Sequence, residues 1–255
     1  AAGPAALRQR MGRLAWHHAD LRVTDYGDIH CPGQDMEAAQ EQLALMVAGA
    51  LAAGQLPIVL GGGHDLAYGH YCGVRKASPG KKVGIINFDA HFDLRPVTSQ
   101  PNSGTPFNQI LQEDLVDYLV LGIQQPANTK ELFDIAAANG VEFMLAQHCR
   151  TYQLPTIIQS LQRLLDRNDH VYVSIDLDGF SSAYAPGVSA PSPLGYSPAF
   201  VLAVLDYLLT SGKVISVDVA ELNPGLDMDG HTARLGAGLI EYIVDGWSRS
   251  MRDEG

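Results

Sequence analysis

The sequence has few cysteines and no long apolar run. Each of these two features excludes a class of protein. Its three cysteines, Cys31, Cys72 and Cys149, are odd in number and far apart, which fits neither a disulfide framework nor a thiolate zinc site. The longest apolar stretches fall short of the roughly 20 residues that a bilayer crossing needs. No charged and then apolar leader opens the chain. We therefore expect a cytoplasmic protein with reduced thiols and no membrane partner.

Positive charge is also scarce. Lysine and arginine number 17 against 28 aspartates and glutamates, which gives a formal net charge of −11. Binding to nucleic acid would require a basic face, so we expect no nucleic-acid partner. With 46% hydrophobic and 18% charged residues, the composition is that of an ordinary globular protein. No repeat, low-complexity tract or linker divides residues 1–255, which predicts a single domain.

Apolar runs and turn residues predict alternating strands and helices. Strands are predicted at residues 56–60, 82–88, 118–122, 141–144, 171–175 and 213–217, and helices at residues 3–18, 35–54, 130–139, 155–167, 197–210 and 232–244. The segments PVTSQPNSGTPFNQ and SSAYAPGVSAPSPLGYS are predicted to be long loops. Such alternation is typical of a parallel sheet with both faces covered. We therefore predict an α/β fold, a three-layer α/β/α sandwich with a mostly parallel central sheet.

Polar clusters follow four of the predicted strands. They are GGGHD at 61–65, DAHFD at 89–93, DLDGF at 176–180 and DVAELNP at 218–224. Because the carboxyl ends of parallel strands share one edge of a sheet, we expect these clusters to converge. In DAHFD the polar residues stand at i, i+2 and i+4, so a locally extended backbone would turn them toward one face. The candidate metal ligands are His64, Asp89, His91, Asp93, Asp176 and Asp178.

The chemistry of these candidates indicates two divalent ions. Two imidazoles and four carboxylates, with no thiolate, favour a harder ion such as Mn²⁺ over structural zinc. Four carboxylates around one divalent ion would leave excess negative charge in a buried site, whereas two ions balance that charge. A hydroxide can then bridge the ions, because coordination lowers the pKa of bound water to about 7 in favourable cases. The pattern therefore predicts a hydrolase.

The motifs GGGHD, DAHFD, SIDLDGF, APGVSAP and DVAELNP resemble those of the ureohydrolase (arginase/agmatinase) family, dinuclear manganese hydrolases of guanidino and amidino compounds. The resemblance extends from about residue 3 to residue 244. It implies an arginase-like fold, two Mn²⁺ ions per subunit and a homo-oligomer. The opening strand of the family, expected before GPAALR, is absent, so we expect the chain to start inside a longer natural protein.

The same resemblance implies a ligand set for each ion. One manganese would be held by His64, Asp89, Asp93 and Asp176, and the other by His91, Asp89, Asp176 and Asp178. Asp89 and Asp176 would therefore bridge the two ions. Asp178 would also relay a proton, because it is both a ligand and a neighbour of the hydroxide.

Two details, HFDLR and NSGTPF, are similar to the formimidoylglutamase branch of the family, which converts N-formimidoyl-L-glutamate and water to L-glutamate and formamide. Glu221 matches the acid that binds the guanidinium group in the family. Arg95 stands where the arginase pattern has an Asn, and an Arg can grip a carboxylate through two hydrogen bonds. Ser103 and Thr105 could bind the same end of the substrate. We therefore expect a small acidic amidine as the substrate.

One position departs from the arginase pattern. Where arginases carry a histidine in SGNxH, this chain has SGTPF, so Phe107 stands at that position and no proton-shuttling imidazole can be inferred. Three alternatives stay open. The chain could act on another guanidino acid such as guanidinobutyrate, have an agmatinase-like or arginase-like activity, or be a metal-binding regulator without catalytic activity.

Overall fold

The computed structural model describes residues 2–19, 21–31 and 35–253, the last three of them by their backbone alone. The strands are β1 (Ile58–Leu60), β2 (Val83–Phe88), β3 (Tyr118–Ile123), β4 (Glu142–Leu145), β5 (His170–Asp176) and β6 (Val214–Ala220). The α-helices are α1 (Gly3–Met11), α2 (Met36–Ala52), α3 (Leu66–Ala77), α4 (Pro106–Glu113), α5 (Lys130–Ala138), α6 (Leu154–Arg167), α7 (Pro198–Thr210) and α8 (His231–Asp253).

The strands form a single parallel sheet in the order β1-β6-β5-β2-β3-β4. Strands β2, β5 and β6 end level with one another, since Phe88 pairs with Ile175 and Asp176 pairs with Ala220. The six strands predicted from the sequence and their parallel arrangement are confirmed. This order places the end of β2 beside the end of β5, where the two pairs of candidate carboxylates lie.

An apolar core covers each face of the sheet. On one face, helices α1, α6, α7 and α8 contribute Leu7, Leu161, Leu205 and Ile240. On the other, helices α2, α3, α4 and α5 contribute Val47, Val74, Ile110 and Leu132. Alternate residues of β2 divide between the faces, because Ile86 and Phe88 join the first core and Val83 and Ile85 join the second. The predicted three-layer α/β/α sandwich is confirmed.

Local signals fix where several helices begin and end. The Asp35 carboxylate accepts the N–H of Ala38 at 3.1 Å and so caps α2, which Gly54 follows with a φ of 71°. Helix α1 ends at Met11, so the helix predicted to reach residue 18 is shorter than expected. Among the described residues, none of the helices combines the length and apolarity that a bilayer crossing requires.

Helix α3, directly after GGGHD, was not predicted, and its glycines explain why. An added Cβ on Gly69 would lie 2.6 Å from the carbonyl oxygen of Gln40, and one on Gly73 would lie 2.7 Å from that of Ala44. These glycines therefore allow close packing of α3 on α2, although glycine lowers the helix propensity of the sequence. Helix α4 begins at Pro106, inside the segment predicted to be a loop, since proline is favourable in the first turn.

Candidate metal centre

Four polar clusters lie at one edge of the sheet. DAHFD follows β2, DLDGF begins with the last residue of β5, and DVAELNP spans the end of β6. Strand β1 pairs with β6 and leads into GGGHD. The order of the strands therefore brings together side chains that are far apart in the sequence.

The first ligand group surrounds the Nδ1 atom of His64. Three carboxylate oxygens lie close to this atom: Asp93 Oδ2 at 3.0 Å, Asp176 Oδ2 at 3.1 Å and Asp89 Oδ2 at 3.2 Å. All four residues are buried, and their ligand atoms lie within 4.8 Å of one another. Three carboxylate oxygens and one imidazole nitrogen suit a divalent cation of intermediate hardness.

The second ligand group shares Asp89 with the first. Asp89 Oδ1 lies 3.4 Å from His91 Nδ1, which lies 3.2 Å from Asp178 Oδ2. Because Asp89 offers Oδ2 to the first group and Oδ1 to the second, this carboxylate joins the two. Asp176, expected as a second bridge, lies in the first group in this structure, and its Oδ1 accepts the backbone N–H of Asp178 at 2.7 Å.

Tight turns direct these ligands. Asp89 Oδ1 accepts the backbone N–H of His91 at 2.7 Å, a turn two residues long like the one that joins Asp176 to Asp178. Asp93 has a φ of 51°, in the left-handed region that aspartate enters more readily than most residues. The expected extended backbone across DAHFD is therefore wrong. Its side chains converge because the chain bends at residues 90 and 91.

The carboxylates of the two groups are crowded in a buried space. Burial and the charge of Asp89 raise the pKa of Asp93 to about 6, and the same two causes raise the pKa of Asp176 to about 6. Burial and the charge of Asp176 raise the pKa of Asp178 well above its usual range. Burial lowers the pKa of His91, but hydrogen bonds with Asp178 and Asp89 outweigh it and raise that pKa to about 12. The site therefore favours added positive charge, as protons or as metal ions.

Two buried atoms of the site have no hydrogen-bond partner within the part of the chain that the structure describes. They are His64 Nδ1 and Asp178 Oδ1. Buried polar atoms are nearly always paired in proteins, so both atoms require an explanation. A cation beside His64 Nδ1 would satisfy the nitrogen lone pair and the three carboxylates together. Because the second ligand group shares Asp89 with the first, the residues present fit a dinuclear metal site.

Glu221 lies at the end of β6, beside the first ligand group. Its backbone has a φ of 66°, and its carboxylate accepts the N–H of His64 at 2.7 Å and the hydroxyl of Ser189 at 3.3 Å. Burial and the charge of Asp176 raise the pKa of this carboxyl group. A half-buried carboxylate thus lies next to the metal ligands.

Arg95, Ser103 and Thr105 lie where the end of DAHFDLR meets the NSGTPF loop. The N–H of Arg95 donates to the carbonyl oxygen of Gly104 at 2.9 Å, and its exposed side chain forms no ion pair with any described residue. Ser103 is also exposed. Thr105 is only 1% exposed, and its hydroxyl accepts the N–H of Asn102 at 3.0 Å and donates to the Asn102 carbonyl at 2.9 Å. The substrate contact expected of Thr105 does not fit this geometry, because its hydroxyl closes the turn.

Phe107 packs against the first ligand group. Its ring meets that of His64 edge-on at 5.3 Å between centroids and stacks on Tyr118 at 4.5 Å. It is 1% exposed. The residue at the position of the arginase histidine therefore supplies an apolar wall and no proton.

Sequence reasoning missed the polar side chains behind the ligands. Asn87 Nδ2 donates to Asp89 Oδ2 at 3.0 Å, and Ser174 Oγ lies 2.7 Å from His64 Nε2. Both are fully buried inside strands, two residues before the ligands Asp89 and Asp176. Residues two apart in a strand share a face, so this spacing is a signal that could have found them.

Comparison with known protein families matches residues 1–245 to the arginase family. The chain belongs to the arginase family. The formimidoylglutamase of Nocardia farcinica is 49% identical over 251 residues, which cover 96% of this chain and 79% of that protein. The formimidoylglutamase of Geobacillus thermodenitrificans is 44% identical over 237 residues, which cover 92% of this chain and 74% of that protein.

Solved structures of arginase-family proteins have the same fold. Trypanosoma cruzi formiminoglutamase, solved with Mn²⁺, has a TM-score of 0.87 at 27% identity, covering 96% of this chain and 85% of that chain. Bacillus subtilis formimidoylglutamase has a TM-score of 0.89 at 24% identity, covering 96% and 80%, and at that identity shows the fold alone. The arginase-like fold and the resemblance to this family are thus confirmed.

Proposed function

We propose that this arginase-family chain hydrolyses N-formimidoyl-L-glutamate to L-glutamate and formamide at a site for two Mn²⁺ ions. Water adds to the formimidoyl carbon, the bond from that carbon to the glutamate nitrogen breaks, and the nitrogen gains a proton. The observation that carries the proposal is that an exposed Arg95, with no ion-pair partner in the described chain, lies two residues after the ligand Asp93. Relatives named formimidoylglutamase, such as one 49% identical to this chain, support the same substrate.

The two ligand groups would hold the metal ions. His64, Asp89, Asp93 and Asp176 would bind one, and Asp89, His91 and Asp178 the other. When bound, two divalent ions activate water for hydrolysis and neutralise negative charge near the reacting carbon. Mn²⁺ is supported by the oxygen-rich donor set and by the T. cruzi formiminoglutamase solved with that ion.

Glu221 and Arg95 would orient the substrate. An amidinium carries a positive charge, and Glu221 presents a half-buried carboxylate beside His64. The substrate also carries two carboxylates, and the guanidinium of Arg95 can bind one through paired charge-assisted hydrogen bonds. The exposed hydroxyl of Ser103 lies in the adjoining loop and could add a hydrogen bond. The two ends of the substrate would thus meet groups of opposite charge.

Asp178 would transfer the proton from the attacking water to the leaving nitrogen. Its Oδ1 is buried and has no hydrogen-bond partner among the described residues, so this atom is free to take a proton from the attacking water. The same proton can pass to the glutamate nitrogen as the carbon–nitrogen bond breaks. Phe107, apolar and packed on His64, leaves no imidazole at its position to perform this transfer.

The experiment is product analysis with Mn²⁺-loaded protein. With N-formimidoyl-L-glutamate we expect formamide and glutamate in equal amounts, and Asp178→Ala should abolish their release. Guanidinobutyrate, agmatine and arginine are the comparison substrates, because a ureohydrolase would release urea from one of them. Release of urea together with no formamide would overturn the proposal. Metal binding without release of any product would support the regulator instead.

We also propose that the protein works as a cytoplasmic homo-oligomer without a nucleic-acid partner. The assembly is supported by the resemblance to a family that generally forms trimers or hexamers. The net charge of −11 supports the lack of a nucleic-acid partner. Light scattering after size-exclusion chromatography tests the assembly, and a monomer at micromolar concentration would contradict it.

A further inference from the structure

A second buried polar cluster lies behind His64, centred on Asp218 of strand β6. Asp218 Oδ1 accepts the hydroxyl of Ser174 at 2.7 Å. Asp218 Oδ2 lies 2.8 Å from His70 Nδ1 and also accepts the hydroxyl of Tyr172. All of these residues are fully buried. Ser174 and Asp218 are the first residues of the motifs SIDLDGF and DVAELNP, but no role was predicted for either of them.

A buried carboxylate is stable only if hydrogen bonds satisfy it. Asp218 has three such neighbours, from strand β5 and helix α3: the hydroxyls of Ser174 and Tyr172 donate to it, and His70 Nδ1 lies within hydrogen-bond distance. An ionised carboxylate can only accept hydrogen bonds, so the proton of each neighbour points at Asp218. His70 Nε2 lies 2.5 Å from Ser216 Oγ, which ties the far side of that ring to β6.

The single hydroxyl proton of Ser174 then determines which ring nitrogen of His64 is protonated. Ser174 has one hydroxyl proton, which it donates to Asp218. Ser174 Oγ, 2.7 Å from His64 Nε2, must therefore accept a hydrogen bond from that nitrogen. A neutral imidazole carries one N–H, so the proton on Nε2 leaves Nδ1 bare. Nδ1 is the atom that faces Asp89, Asp93 and Asp176.

We propose that Ser174 and Asp218 are positioning residues, which hold His64 with Nε2 protonated and Nδ1 directed into the first ligand group. A metal-binding histidine usually donates its second ring nitrogen to a fixed acceptor, and such partners commonly change metal affinity by about 10–100-fold. Here the acceptor is a serine, and Asp218 fixes the direction of its proton. The proposal rests on the metal-binding part of the proposed function and does not depend on the identity of the substrate.

The test compares Ser174→Ala with Tyr172→Phe. Both variants remove one hydroxyl that donates to Asp218, but only the first removes the acceptor of His64 Nε2. We expect Ser174→Ala to weaken the tighter Mn²⁺ step in isothermal titration calorimetry by about 10–100-fold. Tyr172→Phe should change the Mn²⁺ affinity by less than about threefold. Far-UV circular dichroism and thermal melting of the metal-free proteins check that both variants fold.

Two results would overturn the proposal. One is Ser174→Ala binding Mn²⁺ as tightly as the unaltered protein, and the other is an equal loss of affinity in Tyr172→Phe. Asp218→Asn is a second probe. Its amide can donate a hydrogen bond to Ser174 Oγ, and the hydroxyl proton of Ser174 would then point toward His64. We expect its Mn²⁺ affinity to fall at least as far as that of Ser174→Ala. If Asp218→Asn does not fold, the two hydroxyl variants decide the question.

The outcome is separable from that of the proposed function. If the unaltered protein binds Mn²⁺ but releases no formamide, the substrate assignment fails, and the calorimetric comparison still tests the roles of Ser174 and Asp218. If formamide is released and Ser174→Ala keeps full Mn²⁺ affinity, only the positioning roles fail.

Discussion

The two ligand groups differ in how far the fold encloses them. In the first group, the side chain of His64 is 1% exposed, and Ser174 Oγ contacts its Nε2 atom. In the second group, the side chain of His91 is 24% exposed. An enclosed, pre-oriented group should bind its ion more tightly, whereas the more open group is where water and substrate can reach the metal. We therefore expect the first group to contribute more of the binding strength and the second group more of the access.

The largest effect on metal binding should come from Asp89→Asn, because Asp89 is shared by both groups. An amide is neutral and a weaker ligand for hard divalent ions, so both ions should be lost at once. Since loss of an outer-shell partner alone costs about 10–100-fold, we expect formamide release to fall by at least about 100-fold. A steady-state assay at saturating Mn²⁺ measures this. Asp89→Asn with two tightly bound ions would contradict the shared role.

The next largest effects should come from replacing the histidine of each ligand group in turn. His64→Asn should weaken the tighter Mn²⁺ step by at least about 100-fold, whereas His91→Asn should weaken mainly the second step. Calorimetric titration of metal-free protein measures both steps. Equal losses in the two variants, or loss of the tighter step in His91→Asn, would show that enclosure does not set the order of binding.

A smaller effect should come from Arg95→Ala, outside both ligand groups. Loss of a charge-assisted hydrogen bond costs about 1.5–3 kcal/mol, so kcat/KM for N-formimidoyl-L-glutamate should fall by about 10–100-fold. Mn²⁺ affinity should stay unchanged, because Arg95 is not among the ligands. Arg13→Ala is the matched control, since Arg13 is another exposed arginine, just after α1. An unchanged kcat/KM in Arg95→Ala would remove the carboxylate-binding role.

The smallest effect should be a pH dependence of the stabilisation by Mn²⁺. The pKa values of Asp93 and Asp176 are raised to about 6 in the folded, metal-free chain, against about 3.9 for an unfolded aspartate. Their protonation stabilises the fold at low pH, and this contribution is lost as the pH rises through about 6. Bound Mn²⁺ should replace the lost protons, so the gain in Tm on adding Mn²⁺ should grow between pH 5 and pH 7.

Thermal melting with EDTA and with Mn²⁺ at each pH measures that gain. Because 1 kcal/mol shifts Tm by about 2–4 °C for a chain of this size, we expect a difference of a few degrees. An equal gain at both pH values would indicate that these carboxyl groups are not protonated in the metal-free protein.

The fold was largely predictable because the strands are strongly apolar and bounded by polar clusters. Helix α3 was missed because Gly69 and Gly73 serve its contact with α2, a reason that only the packing reveals. Helix α4 was missed because Pro106 lies among loop-forming residues. Helix α1 stops at Met11, where the sequence alone suggested a longer helix.

At the site, the residues that end strands were found, but those inside strands were not. Asp89 and Asp176 follow apolar runs and therefore stand out in the sequence. Ser174 and Asp218 lie within β5 and β6, and the contact between them depends on the pairing of these two strands, which the sequence around either residue does not specify. The role of Thr105 is hard to predict from the sequence, because a hydroxyl in a loop looks the same whether it closes a turn, as here, or contacts a substrate.

The most direct single measurement is a Mn²⁺ titration of the metal-free protein with formamide release followed at each step. The two joined ligand groups predict that release stays low while the enclosed group fills and reaches its plateau at two ions per chain. Full release at one ion per chain, or release that does not depend on Mn²⁺, would contradict the dinuclear site.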